Sequence, residues 1–108
     1  MTAVFGRKKT KDQPLTSSYT ETEEGVIIRL SGRLDSVSSA EFQEEAVQKC
    51  RGRSTTLDME EVTYLSSAGL RAILALDKAV GRNNKLSVIN AKDAVKDVLD
   101  MSGFSEFI

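Results

Sequence analysis

The stretch YLSSAGLRAIL, residues 64–74, decides the fold, because a strand pattern ends in it and a helix pattern begins. From Leu70 onward its apolar residues recur at helical spacing. Ser66 and Ser67 stand just before that pattern, where a serine oxygen can accept a hydrogen bond from one of the unpaired N–H groups that open a helix. The same N–H groups and the helix dipole attract an anion. The stretch therefore predicts a helix cap, an anion-accepting site, or both.

Strand and helix patterns alternate on both sides of this stretch. Alternation of apolar and polar residues predicts strands at 26–30, 55–60 and 85–91, and hydroxyl residues around Tyr19 indicate an edge strand at 17–23. Apolar residues at helical spacing predict helices from Ser38 to about 51, over 70–80 and over 92–101, the first opened by a capping box of Ser38 and Glu41. The order is β-β-α-β-α-β-α.

This order predicts an α/β fold with a single domain. Strands separated by helices pair in parallel through right-handed crossovers, while the first two strands form an antiparallel hairpin. The strands around Arg29 and Asp58 are half polar, which indicates that one face of the sheet is wholly or partly wet. We therefore expect a four-stranded mixed sheet with the crossover helices on one face.

Composition limits the classes of function. The chain has 108 residues, one cysteine and no histidine, which removes the usual zinc ligand sets and every Ser-His or Cys-His catalytic arrangement. The sequence contains neither of the glycine-rich phosphate-binding motifs G-x-x-x-x-G-K-[ST] and G-x-G-x-x-G. A hydrolase that uses Ser66 or Ser67 with a lysine base is disfavoured, because the serines are not part of an S-x-x-K motif. We predict that the chain is not an enzyme and needs no cofactor or metal.

Charge and hydropathy point to the compartment and to the domain limits. Residues 1–16 carry a net charge of +3 and the rest carries −4, so we predict a basic, flexible tail over 1–16, a folded domain over 17–108 and no nucleic-acid partner. The absence of a long apolar run predicts no membrane span. A lone cysteine and no signal-like segment favour the cytoplasm.

Four short motifs together resemble the STAS domains of bacterial anti-sigma factor antagonists. They are GRLD at 32–35, DMEEVTY at 58–64, SSAGL at 66–70 and DMSGF at 100–104. Each is weak alone, but four in the same order and spacing are specific. The resemblance covers about residues 17–108.

The resemblance implies a phosphorylation site. The usual motif of that family is Asp-Ser-Ser/Thr/Ala-Gly-Leu, and the serine after the aspartate is phosphorylated by the anti-sigma factor, which is also a GHKL-type serine kinase. That serine falls on Ser67, while Ser66 stands where the family usually has aspartate and is the less favoured acceptor. The loop aspartate of the family falls on Asp35. The implied partner-binding residues are Asp35, Ser66, Ser67, Ala68, Gly69, Leu70 and Arg71.

The implied function is a protein-interaction switch. The unphosphorylated chain would bind the anti-sigma factor, the chain phosphorylated on Ser67 would release it, and a PP2C-type phosphatase would reset it. A monomer or a weak dimer is expected. The alternative is a STAS scaffold without phosphorylation, or a small subunit of a lipid-transport or signalling assembly.

Overall fold

Seven elements follow one another in the predicted order. The computed structural model describes residues 14–101. The elements are β1 Thr16–Thr22, β2 Gly25–Leu34, α1 Ser39–Cys50, β3 Thr55–Leu65, α2 Ser67–Val80, β4 Leu86–Ile89 and α3 Asp93–Met101. Most of the predicted basic tail and the last three residues of the DMSGF motif lie outside the described residues.

The four strands form one mixed sheet in the order β1-β2-β3-β4. β1 and β2 are antiparallel neighbours, and Thr16 lies opposite Ser31. β2 pairs in parallel with β3, and β3 pairs in parallel with β4. The carboxyl ends of β2, β3 and β4 therefore share one edge of the sheet, as the predicted crossovers require.

A single hydrophobic core lies between the sheet and the helices. Alternate residues of β2, β3 and β4 point into it, because strand side chains alternate between the two faces. All three helices contribute buried side chains to the same cluster, among them Phe42, Ala46, Ile73, Leu76 and Leu99. The prediction that the crossover helices lie on one face is confirmed.

The opposite face of the sheet is polar, but Asp58 is less exposed than its outward position predicted. Only 6% of Asp58 is accessible to solvent. Its carboxylate accepts a hydrogen bond from the Asn90 amide at 3.1 Å and contacts the Arg29 guanidinium at 3.4 Å. Burial by itself raises the pKa of Asp58, but these contacts and the Glu60 N–H outweigh it, so the pKa lies below its ordinary value. The solvent-facing side of the sheet thus carries an ion pair between Arg29 and Asp58, and the Asp58 carboxylate also accepts hydrogen bonds from Asn90 and Glu60.

Three strand boundaries differ from the prediction. β2 and β3 continue to Leu34 and Leu65, because their parallel pairing resumes after two register shifts near Ser31 and Gly32. Strands with such register shifts lack a regular alternation of apolar and polar residues, so the sequence pattern did not predict that they continue. β4 is shorter than predicted and ends at Ile89, since Asn90 adopts a φ of 62°.

Candidate functional site

The ends of β2 and β3 lie side by side and bring the predicted site residues together. Leu34 pairs with Leu65, and the Ser66 N–H donates a hydrogen bond to the Leu34 carbonyl at 3.0 Å. Asp35 and Ser66 are therefore the next residues of two neighbouring parallel strands. We call Asp35 together with residues 66–71 the carboxyl edge; such edges are where open α/β sheets commonly carry their sites.

The two serines of the carboxyl edge have different structural roles. Ser66 is the N-cap of α2, and its Oγ accepts a hydrogen bond from the Gly69 N–H at 3.1 Å. Its backbone has the extended conformation that N-caps adopt, with φ −96° and ψ 174°. Ser67 is the first residue of α2 and is exposed, and its hydroxyl makes no hydrogen bond to any residue within 14–101. The cap is Ser66, which leaves the Ser67 hydroxyl accessible for chemistry.

Gly69 allows α2 to begin directly against the end of β2. Gly69 is buried, and a Cβ added there would lie 2.7 Å from the Leu34 carbonyl oxygen and 2.8 Å from Leu65 Cδ1. Real Cβ atoms essentially never approach other atoms so closely. Packing inside the domain therefore accounts for this glycine, and the close approach of a partner is not needed to explain it.

Asp35 organises the loop between β2 and α1. Its Oδ1 accepts hydrogen bonds from the Val37 N–H at 3.0 Å and the Ser38 N–H at 3.1 Å, and its Oδ2 contacts Arg33 Nε at 3.4 Å. The hydrogen bond from the Ser38 backbone is the largest cause that holds the pKa of Asp35 below its ordinary value. Asp35 is thus a fixed negative charge at the carboxyl edge at neutral pH.

The predicted capping box at the start of α1 is wrong. Ser38 does occupy the N-cap position, but its side chain accepts no hydrogen bond from the first turn of the helix. The Ser38 hydroxyl instead donates to the Arg33 carbonyl at 2.8 Å and accepts from the Asp35 N–H at 3.1 Å. The Ser38 hydroxyl therefore stabilises the loop around Asp35 and does not cap the helix.

The remaining predicted residues divide between the surface and the core. Ala68 and Leu70 are partly buried, and Leu70 packs against the core. Arg71 is exposed and follows Ser67 by one helical turn. Leu74, which the sequence assigned to the apolar pattern of α2, is 51% exposed and continues the line of Ser67 and Arg71 along the outer side of the helix.

Sequence reasoning missed two exposed apolar groups beside the carboxyl edge. Val37 is 86% exposed in the loop that Asp35 organises. Tyr64, at the end of β3, is 42% exposed, and the Arg33 guanidinium lies 4.2 Å from the centre of its ring. The sequence could have indicated the exposure of Val37, because this valine stands alone among serines and an aspartate and is not part of a strand or helix pattern. With Leu74, these groups place exposed apolar side chains beside the carboxyl edge.

The described residues contain neither a cluster of metal ligands nor a helix that could span a membrane. Within residues 14–101 no group of three or more histidine, cysteine, aspartate or glutamate side chains is placed to hold a metal ion. No helix in that range has the length and apolar content needed to cross a membrane.

Comparison with known proteins identifies the family. The STAS domain model matches residues 17–108, so the chain belongs to the STAS domain family. BtrV of Bordetella bronchiseptica, whose name assigns it to the anti-sigma factor antagonists, is 33% identical over 85 residues, which are 75% of this chain and 73% of BtrV. An anti-sigma F factor antagonist of Paenibacillus polymyxa is 32% identical over 82 residues, covering 72% of this chain and 70% of that protein. Both relatives are named as anti-sigma factor antagonists, which is the class that the four motifs indicated.

Solved structures confirm the fold. An anti-sigma factor antagonist from Mycobacterium paratuberculosis superimposes with a TM-score of 0.73 at 16% identity, covering 92% of this chain and 86% of that one. The unphosphorylated form of the anti-sigma factor antagonist SpoIIAA superimposes with a TM-score of 0.69 at 21% identity, covering 85% and 84%. The phosphorylated form of SpoIIAA, described as a Bacillus cell fate determinant, gives 0.61 at 20% identity, covering 85% and 87%.

Proposed function

We propose that this chain is a cytoplasmic anti-sigma factor antagonist whose partner contact is controlled by phosphorylation of Ser67. The unphosphorylated carboxyl edge binds an anti-sigma factor that is also a GHKL-type serine kinase. Phosphorylation of Ser67 releases that partner, and a PP2C-type phosphatase restores the binding form. The output is regulation of transcription through the sigma factor that the partner would otherwise hold.

The observation that carries this proposal is that the two neighbouring serines have different structural roles. Ser66 caps α2, whereas the hydroxyl of Ser67 is exposed and free of hydrogen bonds to the described residues. In the transfer, Ser67 Oγ forms a bond to the γ-phosphorus of ATP while the bond between that phosphorus and the ADP oxygen breaks. The hydroxyl proton passes to a base of the kinase, since the Ser67 hydroxyl makes no hydrogen bond to a carboxylate within residues 14–101. SpoIIAA, which shares the fold, has been solved with and without phosphorylation, so a domain of this kind accommodates the modification.

Electrostatics explain why the phosphorylated form would release its partner. A phosphoserine adds a charge of about −1.5 to −2 at neutral pH. It would stand at the first residue of α2, at the same edge of the sheet as Asp35, which is already ionised. Burying this charge in a contact surface costs desolvation and repulsion, and a loss of about 3 kcal/mol weakens binding on the order of a hundredfold.

The experiment combines phosphate mapping with binding. The full chain is incubated with ATP, Mg²⁺ and the GHKL-type kinase encoded nearest to its gene, and the product is mapped by mass spectrometry. Affinity for that kinase is then measured by calorimetry for the wild type, Ser67→Ala and Ser67→Asp. We expect phosphate on Ser67 alone, near wild-type affinity for Ser67→Ala, and a loss of tenfold or more for Ser67→Asp.

Three results would contradict the proposal. An unmodified Ser67 after incubation rejects phosphorylation of this residue, and phosphate on Ser66 would move the acceptor to the capping serine. Equal affinity of the wild type, the Ser67→Asp variant and the phosphorylated chain would instead indicate a permanent subunit of an assembly.

A further inference from the structure

The two edges of the sheet differ in how well they are protected against pairing with another chain. Within residues 14–101 the strand order is β1-β2-β3-β4, so β1 and β4 each have one side without a neighbouring strand. Such a side presents backbone N–H and C=O groups that can pair with an added strand. β4 has four residues, Leu86–Ile89, whereas β1 has seven, Thr16–Thr22. The edge at β1 therefore offers the longer template.

β1 lacks the features that usually block pairing at a sheet edge. It pairs with β2 over all seven residues without a register shift, unlike the pairing of β2 with β3. It contains no lysine, arginine or proline, and its one charged side chain, Glu21, contacts the Arg53 guanidinium at 3.3 Å. Lysines, prolines, bulges and short strands are the usual means of preventing contact between edges. The β1 edge is thus regular and carries a single, already paired charge.

Contacts within the domain hold β1 in place before any second strand arrives. Tyr19 packs against the hydrophobic core, and its hydroxyl donates a hydrogen bond to the Glu45 carboxylate at 3.3 Å. The Ser17 hydroxyl donates to the same carboxylate at 3.4 Å. A strand that is already ordered loses little further conformational entropy when another strand pairs with it.

The sequence of β1 is complementary to itself in antiparallel pairing. When Tyr19 lies opposite Tyr19 of a second copy, every residue of β1 has a counterpart. The remaining pairs are Thr16 with Thr22, Ser17 with Glu21, and Ser18 with Thr20. Aromatic pairs and pairs of hydroxyl residues stabilise neighbouring strands, and like charges directly opposite each other destabilise them. Centring the pair on Tyr19 avoids such repulsion, because each Glu21 faces a serine.

We propose that two copies of this chain associate through antiparallel pairing of their β1 strands, centred on Tyr19. The contact is twofold symmetric and joins two four-stranded sheets into one sheet of eight strands. A single pair of seven-residue strands is a small interface, so the dissociation constant should be on the order of 10⁻⁴ M.

This dimer leaves the carboxyl edge of each copy accessible. Because the two β1 strands run in opposite directions, the two carboxyl edges lie at opposite ends of the joined sheet. β2 also separates β1 from β3, whose end leads to Ser67. The inference therefore goes beyond the proposed function and does not depend on it, since neither phosphorylation nor the kinase takes part in the pairing.

The register of the pair can be tested by disulfide trapping in the full chain. Ser18→Cys and Thr20→Cys each introduce one thiol at an exposed position of β1, and the native Cys50 is buried. In the proposed pair, position 18 of one copy lies directly opposite position 20 of the other, with Cβ atoms about 5 Å apart. One variant is labelled with ¹⁵N, the two are mixed and oxidised, and the linked species are identified by mass spectrometry. Each variant alone and a mixture of Ser18→Cys with Glu23→Cys, which changes an exposed residue of the turn after β1, are the controls.

We expect the mixture to form the mixed disulfide at least ten times faster than either variant forms a disulfide with itself. The control mixture should show no such preference, since position 23 has no counterpart within the paired strands. Equal rates for mixed and identical pairs would overturn the proposal, because they would indicate random collision.

Self-association is measured independently by sedimentation equilibrium. The double variant Ser18→Lys/Thr20→Lys places lysines opposite each other in the proposed pair and should weaken association at least tenfold. The matched control, Ser87→Lys/Ile89→Lys, introduces the same charges on β4 at the other edge of the sheet and should associate like the wild type. Circular dichroism verifies that both double variants are folded.

Two results of this measurement would overturn the proposal. The first is a wild-type chain that stays monomeric up to about 1 mM, tenfold above the expected dissociation constant. The second is association that the lysines on β4 weaken as much as those on β1, which would assign the contact to another surface.

Discussion

The capping bond of Ser66 allows the structural role of this serine to be separated by mutation from the regulatory role that we propose for Ser67. In Ser66→Ala the Gly69 N–H loses the Oγ that it contacts at 3.1 Å. Loss of a serine N-cap costs about 0.5–2 kcal/mol. Gly69 is buried, so water does not readily replace the lost acceptor, and the cost should lie in the upper half of that range, at about 1.5 kcal/mol.

The assay is thermal and urea unfolding followed by circular dichroism. For a domain of this size, a loss of about 1.5 kcal/mol lowers Tm by roughly 6–12 °C. Ser67→Ala is the matched control, since it removes the same hydroxyl one residue later, where it contacts none of the described residues. Its unfolding free energy should stay within about 0.5 kcal/mol of the wild type. Ser66→Asp retains an acceptor at the cap and should be as stable as the wild type or slightly more stable.

The reasoning fails if Ser66→Ala is as stable as the wild type, or if Ser67→Ala is destabilised to the same extent. The first result would mean that the cap contributes nothing at this junction. The second would mean that Ser67 also supports the helix, and its hydroxyl would then not be free for a phosphoryl group without a structural cost.

Three further predictions test the surroundings of the serines. Gly69→Ala should lower the unfolding free energy by about 1–2 kcal/mol in urea titrations, because the clash with the Leu34 carbonyl exceeds the gain in helix propensity. Asp35 has a lowered pKa, so the stability that it contributes is present above its unfolded value of 3.8 and is lost as the pH falls through its folded value. Asp35→Asn should therefore show a weaker loss of stability than the wild type when unfolding is measured as the pH is lowered from about 5 to below 3.8. Leu74→Asp should weaken partner binding tenfold or more by calorimetry with stability unchanged, whereas Ile89→Asp, a change at a similarly exposed residue on the opposite face of the sheet, should leave binding unchanged.

The order of the elements was predictable because it rests on local periodicity. Strand alternation and helical spacing are visible within ten residues, and the seven elements follow from them. The junction at residues 64–70 was predictable for the same reason, since a strand, a capping serine and a helix follow one another directly. The functional roles assigned to the residues of the carboxyl edge remain predictions.

The details that escaped prediction depend on contacts between distant parts of the chain. Asp58 is held by Asn90 and Arg29, which lie 32 and 29 residues away, so alternation alone assigned it to an exposed face. The capping box at Ser38 does not form because the Asp35 carboxylate accepts hydrogen bonds from the Ser38 N–H and hydroxyl. The motif alone does not show which of several nearby acceptors these groups contact. Leu74 matched the apolar spacing of α2 but lies on its outer side, because the buried face of the helix is narrower than the apolar pattern indicated.

The separation of cap and acceptor predicts that phosphorylation of Ser67 changes the surface of the domain without changing its fold. The first N–H groups of α2 lack partners within the helix, so a phosphate at its first residue meets favourable charge, which contributes about 0.3–1 kcal/mol. Ser66 keeps its bond to Gly69 throughout, because the modified oxygen belongs to a different residue. The nearby carboxylate of Asp35 opposes this gain, and the two effects partly cancel.

We therefore expect the phosphorylated chain to unfold in urea within about 1 kcal/mol of the unmodified chain, with unchanged hydrogen-exchange protection of the α2 amides. Phosphorylated Ser66→Ala provides the comparison, since there the phosphate meets a helix end that has already lost its cap. Loss of protection in the first turn of α2 of the phosphorylated wild type would contradict this view, because release of the partner would then come from melting of the helix. If protection is retained, the switch acts through charge placed on a preformed surface, and binding can be restored by removal of the phosphate without any refolding of the domain.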